Sequence, residues 1–118
     1  MLTIRPEQMQ SLAAASTERL NRDLVEYVRQ RFPTTFERHD DQYILDGIRK
    51  MRSIASHYGV ERQDNVATFI DFTIMFGAQF HRADWAVDIL DCKTLHGPDK
   101  MAVLSFRVAE AESGKEIS

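Results

Sequence analysis

The chain has 118 residues, 43% of them hydrophobic, which suits one globular domain that buries about two-thirds of the surface its unfolded chain exposes. Its 18 acidic and 15 basic residues leave a net charge of -3 and are mixed along the chain, so no basic stripe stands ready for a nucleic-acid backbone. Cys92, the single cysteine, excludes an internal disulfide and points to a reducing compartment.

Arg5, Pro6 and Glu7 stand where a secretion signal needs an apolar stretch, and the longest uncharged run, Phe72 to Phe80, is too short to span a bilayer. A soluble, cytoplasmic protein with no membrane segment is expected. Without repeats, low-complexity tracts or a linker rich in Pro, Gly and Ser, residues 1–112 read as one helical domain, followed by a loose tail over 113–118.

Pro6 opens a first helix at its N1 position, with Met9, Leu12, Ala13, Leu20, Leu24, Tyr27 and Val28 on one face and Glu18, Arg22, Glu26 and Arg29 on the other. Pro33 ends it. A second helix starts near Asp40 or Asp41, either of which can accept hydrogen bonds from free N–H groups, and runs to Gly59 as its cap. Its buried stripe is Ile44, Ile48, Met51, Ile54, Ala55 and Tyr58.

The stretch "VATFIDFTIMFGAQF", Val66 to Phe80, makes the third helix. Residues placed about 100° apart put its apolar side chains around most of the circumference and leave a narrow polar strip of Thr68, Asp71 and Gln79, with Met75 inside it. Asp71 therefore marks the line along which this helix sees water. Gly77 falls on the apolar side and Gly47 occupies the second helix, which suggests that helices two and three cross closely at the two glycines. A short fourth helix follows Asp84, with Trp85, Ala86, Ile89 and Leu90 inward, and Pro98 opens a last helix through Met101, Leu104 and Val108. For Val103–Val108 a strand is the alternative, because "VLSFRV" alternates with period two. The fold class is all-α, a compact bundle of four to five helices.

Residues able to do chemistry are few. Cys92 and His96 have the spacing that sets a thiol beside an imidazole on a helix, yet no orienting group or oxyanion feature accompanies them, so Cys92 reads as a packing residue and His96 as a loop residue. Asp84, Asp88 and Asp91 with His81 have the donor types of a metal site, but the acids read as a solvated face favouring the helix N-terminus. His39 and His57 read as surface residues. The expectation is no catalytic residue, no metal and no cofactor. "IASHYGVERQDNVATFI" has the cadence of a helix-turn-helix, but its second helix is apolar nearly all round, lacks Lys and Arg, and has Asn65 where the motif needs a buried aliphatic residue.

The combination of "LTIRPEQM", "VRQRFP", "YGVERQDNVATFIDFTIMFGAQF" and "WAVDIL" resembles a family of small helical proteins from bacterial type VI secretion gene clusters. The likeness runs from Leu2 to about Leu90 and is a spaced pattern without a catalytic motif. Where family members carry an acidic residue and prolines before the tryptophan, this chain has "HRAD". The resemblance implies accessory work: an immunity protein that binds and inhibits a co-encoded effector, or a chaperone or adaptor that loads one. In both cases the partner is a protein. A binding protein needs exposed anchors ringed by polar groups. Helical projection nominates Met75 between Asp71 and Gln79, Val103 and Phe106 off the stripe of the last helix, and Trp85 after a polar loop.

Overall fold

The computed structural model describes the backbone of residues 6–117 and the side chains of residues 17–112. Five helices follow in order: α1 (Pro6–Arg31), α2 (Asp41–His57), α3 (Gln63–Phe76), α4 (Asp84–Leu90) and α5 (Gly97–Ile117), with a short 3-10 turn, Phe80–Arg82, between α3 and α4. The described residues contain no strand, and Val103–Val108 lies inside α5. None of their helices is long and apolar enough to cross a membrane. Where one domain is expected from length, the residues group into two compact units, Met1–Arg49 and Lys50–Ser118, divided inside α2 at no break in the helix.

In the first unit α1 and the start of α2 form an antiparallel hairpin, fixed by nested pairs. Arg29, near the end of α1, donates to Asp41 at 2.7 Å, while Glu18, further back, meets Arg49, further along α2. The second guanidinium edge of Arg29 holds the connecting loop by donating to the carbonyls of Phe36 at 3.2 Å and His39 at 2.7 Å. Asp40 accepts the N–H of Tyr43 at 2.9 Å, which satisfies one of the free donors at the start of α2. Leu24, Val25, Val28, Ile44, Leu45 and Ile48 are buried. The side chains of Met9, Leu12 and Ala13 lie outside the described residues.

In the second unit Met51, Ala55, Val60, Val66, Phe69, Ile70, Phe72, Phe80, Ala86, Leu90, Met101 and Leu104 are buried. α2 ends as Gly59 prescribes. At φ +80° this residue lets its own N–H reach the Ser56 carbonyl at 2.9 Å and the N–H of Val60 reach Ala55 at 2.9 Å, a pair of bonds that caps the helix C-terminus. The carbonyl of Tyr58 is left over. It accepts from the Lys100 ammonium at 2.8 Å, and the same ammonium binds the Leu90 carbonyl at the end of α4 at 2.7 Å. A buried cation thus joins two helix C-termini, whose partial negative charge favours it there.

Two expectations are corrected. The close glycine approach is between Gly59 and Gly97, and Gly47 and Gly77 take no part in one. A Cβ on Gly47 or Gly77 would meet nothing, whereas one on Gly97 would overlap the Gly59 carbonyl oxygen and stand 3.1 Å from the Val60 Cα. Gly77 instead stops α3: at φ +105° it leaves helical geometry while its N–H still bonds Thr73 at 2.9 Å. The third helix therefore ends at Phe76, short of Phe80. α5 is helical as far as Ile117.

Asp71 is also corrected, because it is buried at 8% exposure. Phe69, Ile70, Asp71 and Phe72 are all buried, and consecutive residues about 100° apart cover the whole circumference, so the middle of α3 is enclosed on every side. Exposure changes along the helix axis rather than around it. The last turn, with Met75 at 42% and Phe76 at 46%, emerges from the protein.

Candidate docking groove

Where α3 emerges, an aromatic series runs from the core to the surface. Phe69 meets Phe80 edge to face at 4.9 Å between centroids, Phe72 touches Phe76, Phe80 and Trp85 at 5.8 to 6.1 Å, and Phe76 meets Trp85 at 5.4 Å. Phe80, buried in the 3-10 turn, stacks on Trp85 at 6.0 Å and so fixes the indole from behind. Edge-to-face aromatic pairs of this kind contribute about 0.5–1.5 kcal/mol beyond their area.

The outer end of the series opens into a groove of about 230 Å³ lined by Phe76, Trp85, Arg107, Val108, Ala111 and Glu112. One wall is the rings of Phe76 and Trp85 and the other is two turns of α5, with the small Ala111 between them. Arg107 sets the spacing of α4 and α5: it donates to both carboxylate oxygens of Asp88, at 2.9 and 3.1 Å, and to the Trp85 carbonyl at 2.6 Å. This bidentate pairing holds the Asp88 carboxyl below its ordinary pKa. The volume lies below the roughly 300–1,000 Å³ of ordinary cofactor and ligand pockets. It matches a slot for one or two anchoring side chains.

Of the residues nominated as partner contacts, Trp85 lines the groove and Met75 is exposed beside Phe76 on the last turn of α3. Gln79 is exposed but precedes the 3-10 turn and is not on α3. Phe106 is 63% exposed and projects from α5 roughly opposite Ala111, away from the groove, with half-buried Val103 on its flank. Asp71 lies inside the protein. Sequence reasoning missed Phe76, Arg107, Val108, Ala111 and Glu112. For Phe76 the signal was present: Gly77 marks a helix end, and the residue before a helix end is free of the next turn.

The remaining candidates separate. Cys92 follows α4 in the connection to α5, so helical spacing to His96 does not apply; its thiol pairs with the Thr94 hydroxyl at 3.2 Å. That bond, with the Thr94 and Leu95 backbone N–H groups and the Lys100 charge, lowers the Cys92 pKa. His96 is exposed and is not among its hydrogen-bond partners. Asp88 is engaged by Arg107, and His81 is buried with its Nδ1 hydrogen-bonded to the Tyr58 hydroxyl at 3.0 Å. Among the described residues no three His, Cys, Asp or Glu side chains converge. His39 stacks on Tyr43 at 4.1 Å, and His57 meets Tyr58 edge to face at 5.1 Å.

Compared with protein-family models, curated proteins and solved structures, the chain matches none. The likeness to type VI secretion accessory proteins rests on the quoted sequence pattern alone.

Proposed function

We propose that this chain is a non-catalytic protein-binding module that docks its partner in the groove between α5 and the Phe76–Trp85 pair. The observation that supports it is Phe76. A phenylalanine 46% exposed at the end of a helix whose middle is enclosed, beside a half-buried tryptophan, is the kind of aromatic anchor surface that dominates binding energy at protein interfaces. Together with the resemblance in sequence, this favours a cytoplasmic accessory protein of a type VI secretion system. The first reading is an immunity protein that binds and inhibits a co-encoded effector. A loading chaperone or adaptor is the second, and an exposed groove that need only hold its client for a time supports it equally.

The test is calorimetric titration with the product of the adjacent effector gene, followed by an assay of that product's activity. Immunity requires loss of activity at equimolar ratio. A chaperone raises the melting temperature of the effector through binding and leaves its activity intact on release. Absence of any association overturns both readings.

A further inference from the structure

We infer that the groove accepts a basic amphipathic helix of the partner, with an apolar anchor between Phe76 and Trp85 and Lys or Arg residues on either side of it. This rests on the docking reading above and adds the chemistry of the occupant.

Shape argues for a helix. The α5 wall is built from Arg107, Val108, Ala111 and Glu112, a stripe along two helical turns, and Ala111 leaves room in its middle for the ridge of a second helix. The charge of the rim argues for its sign. Arg107 is the basic group of the lining, and its donors are taken up by Asp88 and the Trp85 carbonyl, which leaves the pair close to neutral. Glu112 lines the same groove, and Asp84, exposed, immediately precedes Trp85. Arg82, three residues before Trp85, acts on His81 and Tyr58. An approaching helix therefore meets an apolar slot with acidic ends, and like-charged flanks would be repelled.

Trp85 is the only tryptophan, so its fluorescence reports this groove and nothing else. The probes are two synthetic amphipathic helices of about 18 residues, long enough to form alone, with the same leucine face and either lysine or glutamate on the polar face. The lysine helix is expected to shift Trp85 emission to shorter wavelength and to bind about tenfold or more tighter than the glutamate helix at low salt, the preference fading in 1 M salt. Glu112→Lys, at an exposed position, should remove that preference while keeping the Trp85 response. Equal binding of the two helices by the wild-type protein overturns the charge inference and leaves the groove a docking site. No Trp85 response to either helix overturns the docking reading as well. An emission shift that follows dilution of the protein alone makes the occupant a second copy and overturns the inference.

Discussion

Phe76 and Trp85 meet edge to face at 74°, with centroids 5.4 Å apart, one from the last turn of α3 and the other from the first turn of α4. What sets them side by side is the sharp exit at Gly77 and the 3-10 turn that follows it, which carries Phe80 behind the indole. The pair is therefore built to stand at the surface. Phe76→Ala should cost little stability, about 1 kcal/mol, because roughly half of the 1.5–3 kcal/mol available from burying a large apolar side chain is realised at this exposure. Trp85 emission should move to longer wavelength as its edge becomes wetted. A loss of stability as large as that of a core truncation would show that Phe76 is part of the core.

The glycine contact gives a contrast between two alanines. Gly97→Ala should destabilise by about 1–3 kcal/mol, since its new Cβ must displace the backbone of Gly59. Gly47→Ala should stabilise by about 0.5–1 kcal/mol, because the position is helical, exposed and open. Urea midpoints measure both, and a neutral Gly97→Ala would show that α2 and α5 do not meet there.

Lys100→Met keeps the length of the side chain and removes its ammonium. The carbonyls of Tyr58 and Leu90 then lose their donor, and a loss of about 1–3 kcal/mol is expected in the same urea measurement. Unchanged stability would mean that water serves these carbonyls as well as the lysine does.

His81 should give stability a specific pH dependence. Burial, reinforced by the Arg82 charge, lowers its pKa from the ordinary value of 6.5, so below that value the unfolded chain binds a proton that the folded protein resists. Its contribution is complete above about pH 6.5 and is lost as the pH falls through that value toward the lowered folded one. The paired carboxyls of Glu18 and Asp88, also lowered, are lost only at more acidic pH. His81→Gln should flatten the profile around pH 6 and leave the acidic limb in place. The same slope in wild type and variant would assign it to another group.

Helix boundaries were legible wherever the signal is local. Asp40, Gly59 and Pro98 act on their own N–H groups, φ angles or next few residues, and each marks the start or end of a helix as the sequence implies. Asp71 was misread because helical projection distributes polarity around an axis, whereas α3 is enclosed in its middle and emerges at its end. The glycine pair was misassigned because which glycines meet depends on how α2 and α5 return toward each other, and residue spacing within one helix carries no trace of it. Little of the groove was legible. Of its lining residues only Trp85 was nominated, from a local pattern, and Arg107 reaches Asp88 across 19 positions, so that only the fold brings the two together.

The most direct measurement is the affinity of the Phe76→Glu variant for the effector partner proposed above, by calorimetric titration beside the wild type and Phe106→Glu. Phe76→Glu should weaken binding by about tenfold or more with an unchanged circular dichroism spectrum, as expected for a charge placed at an apolar anchor. Phe106→Glu, on the other side of α5, should bind like wild type. Wild-type affinity in Phe76→Glu would contradict the groove as the docking surface.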